Sequence, residues 1–435
     1  MREDTIEPGE RRSGRDDAVA VVRRLRGGGH VAYFAGGCVR DAMLGLEPKD
    51  YDVATDAPPA RVRELFTHTQ AVGAAFGVIL VRHGNSVIEV ATFRTDGRYA
   101  DGRRPEAVTF TTAEEDAKRR DFTINGMFLD PIENKVIDYV GGQADLEARV
   151  LRAIGEANRR FDEDHLRLLR AVRFAARFSL SIDPATEAAI RAHAEHLKRI
   201  SPERIAEELR IMLTPASRRR AWELLWALGL MPVIFRHLPE RNDSPNAQRA
   251  NVQRAILPAL AEGAAAPFGL ALAALALCYR AAGRDWVSEL LEPAEVRRTV
   301  QALRAGLKIS NEEADLVAES TQLSALLGDA PPTVATMKRF LAQRYSRESR
   351  QMLRAIARAE ASHATRVAWL DERFEQFLQG DVAPPPLLTG DDLTAAGWKP
   401  GPAFKRVLDG VYDAQLEDRV NTKEEALAMA ETMRS

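Results

Sequence analysis

Two carboxylates one residue apart inside a short apolar run constrain this chain more than any other stretch: Asp50 and Asp52 in Pro48-Lys49-Asp50-Tyr51-Asp52-Val53-Ala54-Thr55. Read as a strand, the run has a side-chain period of two, which puts Asp50 and Asp52 on one face and Tyr51 and Val53 on the other. That is a cation site in outline. Magnesium prefers oxygen ligands, and two such ions roughly 3.5–4 Å apart can activate an attacking hydroxyl and steady a leaving pyrophosphate. A solvated turn or strand end is the plainer reading of the same pair, and the flanking sequence has to decide.

Upstream, residues 31–35 (Val-Ala-Tyr-Phe-Ala) read as a buried strand that runs at once into Gly36-Gly37-Cys38-Val39-Arg40-Asp41 and a helical run to Leu44. Glycines let backbone N–H groups approach a ligand, a helix N-terminus favours an anion, and Arg40 adds charge; a tight turn is the ordinary alternative. Downstream, residues 77–81 and 87–93 flank His83-Gly84-Asn85-Ser86, a hairpin signal. Glu89 is an acid inside the second of these strands, so it either joins the aspartates as a third carboxylate or is solvated at an edge. Residues 94–105 combine Arg94, Arg98, Arg103 and Arg104 with glycines and Tyr99, the composition of a mobile loop able to close over a nucleotide, or of a solvated one. In Lys118-Arg119-Arg120-Asp121-Phe122-Thr123-Ile124-Asn125, three cations precede an Asp and an Asn four residues apart. On a helix those two share a face and can hold ribose hydroxyls while the cations meet phosphate.

Composition narrows the classes. The 435 residues are 45% hydrophobic and 29% charged, enough for a sizeable core and two to four structural units. A net charge of −2, from 61 Lys and Arg against 63 Asp and Glu, gives no bulk electrostatic attraction to nucleic acid, so local clusters must supply it. Two cysteines, Cys38 and Cys278, support neither a disulfide framework nor a thiolate metal site and suit a reducing compartment. Met1-Arg2-Glu3-Asp4 opens without an apolar core, and the most apolar stretch, roughly residues 264–279, is too short to span a bilayer. The expectation is a cytoplasmic protein with no membrane partner.

Taken in order, the Gly36-Gly37-x-x-Arg40-Asp41, Asp50-Tyr51-Asp52 and Arg119-Arg120-Asp121-Phe122-Thr123-Ile124-Asn125 motifs resemble the head of class II nucleotidyltransferases. That family comprises the bacterial CCA-adding enzymes, their CC-adding and A-adding relatives, and bacterial poly(A) polymerases. The resemblance runs through about residues 20–215. It implies an α+β fold: a small mixed β-sheet head of polymerase-beta-like type, followed by an all-α neck, body and tail. The boundaries expected are a flexible N-terminus at 1–15, the head at 16–148, the neck at 149–215, the body at 216–380 and the tail at 381–435. Asp138-Tyr139-Val140-Gly141-Gly142 looks like the hinge between catalytic and base-reading parts, and Glu163-Asp164-His165-Leu166-Arg167 matches the base-selecting pattern. The chemistry suits that role: a carboxylate accepts from an exocyclic amine while a guanidinium donates to the adjacent ring nitrogen, the edge cytosine and adenine share and uracil and guanine lack. Ser201-Pro202 opens a helix that resembles the neck motif.

By this resemblance Asp50 and Asp52, with Glu89, hold magnesium in a two-ion site. Gly36, Gly37 and Arg40 contact the triphosphate; Arg120, Asp121 and Asn125 its phosphate or ribose; Glu163, Asp164 and Arg167 the base, with Arg170 next to them toward phosphate. Beyond Thr214 the pattern is helical, with neither a His-Asp cluster nor zinc spacing, and residues 241–246 and 380–386 read as linkers. The implied partners are a tRNA 3′ end with CTP and ATP, and no DNA. Within the family, the acidic, mixed-charge end favours tRNA 3′-end maturation and the intact residues 96–105 speak against a CC-only enzyme; the expectation is CCA addition, with A-only addition and poly(A) synthesis open and a non-catalytic RNA-binding relative the reading of another class.

Overall fold

The computed structural model describes residues 14–73, 76–97, 107–213, 217–238, 256–260, 266–280, 289–399 and 401–433. Most of the loop at 94–105 and the linker at 241–246 lie outside these.

Nine short strands make two sheets in the first part of the chain: β1 (Ala32–Ala35), β2 (Asp52–Thr55), β3 (Thr69–Gly73), β4 (Val78–His83), β5 (Ser86–Thr92), β6 (Arg94–Asp96), β7 (Val108–Phe110), β8 (Phe128–Asp130) and β9 (Lys135–Ile137). Seven of them form a mixed sheet in the order β3-β4-β5-β2-β1-β8-β9, while β6 and β7 pair separately. Only β2 and β5 run parallel within the large sheet, with Val53 opposite Val90 and Ala54 opposite Ala91. The expected hairpin is present as β4–β5, closed by Gly84 at φ 56°, where a side chain would be strained.

Alternation assigns the two faces. Phe34, Val53, Ile79, Ile88 and Val90 are buried, and the helix α1 (Gly14–Gly27) contributes Ala18, Val21, Val22 and Leu25 to the same core. The opposite face carries three small residues on adjacent strands, Ala35, Ala54 and Ala91, and beyond them an aromatic group in which Phe93 and Phe128 meet edge to face at 5.7 Å. Ala54 and Ala91 are paired across β2 and β5, and Ala35 lies on the same face opposite Asp52, so the three small side chains leave room in front of the sheet. Asp52 and Glu89 stand on this face at the open end.

Short helices hold the site loops: α2 (Gly37–Met43), α3 (Pro59–Leu65), α4 (Ala113–Lys118), α5 (Gly142–Glu147), α6 (Ala157–Glu163), α7 (Arg167–Arg177), α8 (Pro184–His193) and α9 (Pro202–Leu213). Proline in the first turn sets the start of α3 and α8, and the Asp183 carboxylate accepts from the Thr186 N–H at 3.1 Å. A two-stranded parallel pair, β10 (Val150–Leu151) with β11 (Ser181–Ile182), ties the entry of α6 to the exit of α7.

Helical spacing alone would run one helix from Arg159 through Arg177 and would put Asp121 and Asn125 on one helical face; the structure departs from both. Residues 159–177 are not one helix: α6 stops at Glu163, Asp164 is extended at φ −142°, and its carboxylate accepts from the Leu166 N–H at 3.1 Å before α7 begins. Aspartate breaks the ladder by offering the backbone a competing acceptor. Likewise Asp121 and Asn125 share no α-helical face. Thr123–Asn125 is a single 3-10 turn, and the two side chains meet through an Asn125 Nδ2 to Asp121 Oδ1 bond of 3.0 Å.

Contact clustering divides the chain into Met1–Glu208 with Leu224–Ile234, and Leu209–Glu223 with Phe235–Ser435. Every regular element among the described residues of the second unit is a helix. The helix Phe268–Arg280 is buried along its whole length, and its terminal guanidinium reaches Glu295 at 2.6 Å and Thr299 at 2.5 Å. Reciprocal caps start Asn311–Thr321 (Ser310 with Glu313), Gly390–Ala395 (Thr389 with Asp392) and Lys423–Thr432 (Thr422 with Glu425). The last helices close a core of their own around Leu393, Trp398, Val407 and Val411. No described helix is long and apolar enough to cross a membrane.

Candidate active site

Asp52 is the first residue of β2, with Ala35 of β1 opposite it, and Glu89 lies in β5 one residue before the Val53–Val90 pair. Both line a cleft of about 210 Å³ floored by Ala35, Ala54 and Ala91 and walled by Arg94, Arg119 and Arg120. The Asp52 carboxyl is reached by solvent, yet the surrounding protein pushes its pKa up to about 6. Burial is the first cause and the Glu89 charge the second; Arg120 pulls the other way, and Asp50 adds to the rise. Asp50 precedes the strand and is exposed, outside the lining of the cleft. The ligand oxygens of Asp50, Asp52 and Glu89 are not drawn to one point. Among the described residues, the one group of three such ligands gathered within 4.8 Å is Asp162, His193 and His196. Still, neighbouring carboxylate charges that raise the Asp52 pKa are what a hard divalent cation relieves, so the donor set fits such an ion.

A second cavity of about 520 Å³ adjoins through the same two arginines, Arg119 and Arg120. Its lining includes Gly36, Gly37, Asn125 and Phe174, with eight arginines (40, 119, 120, 167, 170, 173, 177 and 204) against two aspartates (121 and 164). Such an excess of guanidinium in a concave wall attracts a polyphosphate.

Each arginine is held. Arg40 is 5% exposed; its Nε and Nη2 donate to Asp41 Oδ1 at 2.8 and 2.6 Å, Nη1 donates to Asn125 Oδ1 at 2.5 Å, and Phe178 stacks below at 4.4 Å. Burial lowers its pKa, with the Asp41 charge opposing. Arg119 and Arg120 share one anchor, Asp116 of α4, which is 2% exposed: Arg119 donates to Oδ1 at 2.7 and 2.9 Å, Arg120 to Oδ2 at 2.9 and 3.1 Å. Burial would raise the Asp116 carboxyl, but the two guanidinium charges and their hydrogen bonds outweigh it and lower its pKa. Asp116 is the residue sequence reading missed, although its spacing three and four before two arginines was the signal. Gly36, at φ 72°, lets Arg120 come close; a Cβ there would sit 3.2 Å from Nη1.

Asp121 receives Arg170 Nε and Nη2 at 2.8 and 2.6 Å, along with Asn125 Nδ2. Burial alone would raise its pKa; the Arg170 charge, these hydrogen bonds and the Arg167 charge bring it down to about 2. Asp164 and Arg167 face the cavity together, while Glu163 is not part of its lining. Glu163 stands behind, accepting from Arg167 Nη1 at 2.9 Å and Arg160 Nη1 at 2.7 Å, which fixes the Arg167 fork. Arg167 Nη2 also donates to the Arg119 carbonyl at 3.3 Å. In the expected hinge, Gly141 is left-handed at φ 80° and the Asp138 carboxylate accepts three backbone N–H groups at 2.9–3.0 Å.

Cys38 opens α2 beside this site but is buried, its Sγ 3.3 Å from the Ala35 carbonyl, and burial pushes its thiol up to about 11; Cys278 rises to about 12 for the same reason. At pH 8 only about a thousandth of Cys38 is thiolate. Iodoacetamide should therefore label neither cysteine in the native protein and both after denaturation. Rapid native labelling, read by mass spectrometry, would contradict this.

Comparison with known proteins follows the same division. Residues 32–152 match the "Poly A polymerase head domain", and residues 179–241 match the "Probable RNA and SrmB- binding site of polymerase A". The CCA-adding enzyme of Lacticaseibacillus paracasei is 32% identical over 422 residues, covering 93% of this chain and 91% of that one. That of Geobacillus thermodenitrificans is 46% identical over 216 residues, so the match spans about half of each protein, 49% and 53%. Among solved structures, the Bacillus stearothermophilus CCA-adding enzyme in complex with CTP superposes with a TM-score of 0.73 at 29% identity, covering 99% of this chain and 98% of that one.

Proposed function

This chain belongs to the CCA-adding enzyme family, and from that premise we propose that it adds C and A to the 3′ end of tRNA without a template, using CTP and ATP. One observation carries the reading: a carboxylate cleft and an arginine-rich cavity containing Asp164 and Arg167 share the wall formed by Arg119 and Arg120. A triphosphate spanning that wall has its base in one compartment and its α-phosphorus in the other.

In the reaction the RNA 3′-hydroxyl oxygen bonds to the α-phosphorus, the bond to the β-phosphate oxygen breaks, pyrophosphate leaves with the electron pair, and the hydroxyl proton is lost. Asp52 and Glu89, with Asp50 beside them, would hold the divalent cations, which we take to be a pair of magnesium ions. Bound there, they supply Lewis acidity toward the attacking and leaving oxygens. Arg119 and Arg120 neutralise phosphate charge from a fixed position, because Asp116 has already oriented both forks. Asp164 accepts from the base amine and Arg167 donates to the ring nitrogen, so uracil and guanine leave buried polar groups unpaired. Glu163, Arg170, Asp121 and Asn125 keep that reading edge in register. Two buried thiols suit a cytoplasmic placement.

The test offers purified protein three RNAs, tRNA lacking CCA, tRNA ending in CC, and oligo(A), with CTP and ATP separately and together. Completion of CCA on the first RNA, stopping there, is the expected result. Addition only to the CC-ending tRNA would identify an A-adder, and long tails on oligo(A) a poly(A) polymerase; either overturns the proposal. Arg167→Ala is expected to lower the preference for CTP and ATP over UTP and GTP by about 10–100-fold, the worth of a charge-assisted hydrogen bond, while tRNA affinity changes little. An unchanged preference would remove Arg167 from base reading.

A further inference from the structure

Away from the cleft, Asp162 of α6, His193 at the end of α8 and His196 in the 3-10 turn Ala194–Arg199 bring three ligand atoms into a triangle. His193 Nδ1 lies 3.1 Å from His196 Nδ1 and 3.2 Å from Asp162 Oδ1, and His196 Nδ1 lies 3.7 Å from the same oxygen. A tetrahedral zinc ion with ligands at about 2.0–2.1 Å has ligand-to-ligand edges of about 3.3–3.4 Å. The three observed edges bracket that value, so one point just off their plane reaches all three atoms at bonding distance.

Hydrogen bonding decides what that point can hold. Asn158 Nδ2 donates to Glu156 Oε1 at 2.9 Å, which turns Asn158 Oδ1 toward His193 Nε2 at 3.2 Å. An amide oxygen only accepts, so His193 carries its proton on Nε2, and in the neutral ring Nδ1 is a lone pair. That lone pair faces a carboxylate oxygen and a second imidazole nitrogen. His196 with its proton on Nδ1 donates into that pair; with the proton on Nε2 instead, three lone pairs converge and a metal ion satisfies all of them. The arrangement is that of metal-bound histidine, in which the distal N–H is tied to an outer acceptor that is itself held, here by Glu156. The Asp162 side chain is 60% exposed and those of His193 and His196 are 12% and 28% exposed, which leaves the point open to entering metal and to a water as fourth ligand.

We propose that Asp162, His193 and His196 form a second metal site, distinct from the carboxylate cleft and selective for a borderline ion of the zinc class over magnesium. Two imidazoles and one carboxylate set that preference, since magnesium takes oxygen ligands. The ion pins the last turn of α6 to the end of α8. Asp162 directly precedes Glu163, so the pin sets the turn from which the partner of Arg167 projects.

The experiment uses the full-length protein, stripped with chelator and dialysed into buffer with millimolar Mg2+, then titrated with Zn2+ by calorimetry and scanned for melting temperature. Expected are one zinc per chain, a melting temperature that rises with zinc, and, with Co2+ in its place, the visible absorption of a tetrahedral ion. His193→Ala and His196→Ala should each lose more than 100-fold in zinc affinity, and Asn158→Ala, which leaves all three ligands, about 10–100-fold. Asp52→Asn should leave zinc binding unchanged. Circular dichroism confirms folding before each titration. Absence of zinc uptake by the wild type would assign the triangle to hydrogen bonding alone and overturn the proposal, as would uptake that persists in both histidine variants.

Discussion

Asp52→Asn should end nucleotide incorporation while leaving the protein at least as heat-stable at pH 7 as the parent. The first effect follows from losing a charged oxygen donor in the cleft; cation stabilisation is worth several kcal/mol, so a fall of about a thousandfold or more is expected. The second follows from the carboxyl's pKa of about 6, raised from 3.8 by burial and by Glu89. A carboxyl that binds its proton more tightly folded than unfolded makes the ionised native state costly. That cost is fully present above about pH 6 and vanishes below the unfolded value. Asparagine removes it. The melting-temperature advantage of the variant should therefore shrink as pH falls from 7 toward 4, measured by scanning calorimetry without divalent metal. A variant that melts well below wild type at pH 7, or one that keeps its activity, would contradict the assignment.

Asp116→Ala should cost about 3 kcal/mol of stability, because breaking a buried pair strands the charge left behind; the figure sits at the low end of the usual range since Arg119 and Arg120 can still reach some water. The pH sign is opposite to that of Asp52. The carboxyl of Asp116 is held below its ordinary value, so its contribution is full above the unfolded pKa and is lost as pH falls through the lower folded one. Urea melts of parent and variant should converge in acid. Triphosphate affinity should also weaken, since two unanchored side chains must be ordered on binding. An Asp116→Ala protein with unchanged urea midpoint would show that the arginines are held by something else.

Short apolar runs bounded by turn residues were legible: β1, β2, β4 and β5 follow from them, as α9 does from Ser201-Pro202. The three-residue strands β8 and β9 were not, because three residues carry too little pattern to oppose a loop reading. The break between α6 and α7 was also hidden, since Glu163 to Arg167 keeps helical spacing while the Asp164 side chain takes the Leu166 amide. Motif reading placed Asp52, Glu89, Arg120 and Arg167 among the residues that line the two compartments, but it could not see rank within them. Glu163 looked like a base contact and stands behind Arg167; Asp50 looked equal to Asp52 and lies outside the cleft; Asp116, which orders two arginines, offered only its spacing ahead of them. Such distinctions depend on which side chain is buried behind which, and spacing along the chain does not encode depth.

With Arg167 reading the base as proposed, its 3.3 Å bond to the Arg119 carbonyl would make discrimination a matter of timing as much as of occupancy. A nucleotide whose edge displaces Arg167 also pulls on the peptide that carries Arg119, and Arg119 walls the chamber where the phosphorus must sit. A mismatched triphosphate therefore loses turnover as well as affinity: kcat should fall together with a rise in KM for UTP, and accuracy survives nucleotide concentrations that would saturate a simple binding filter.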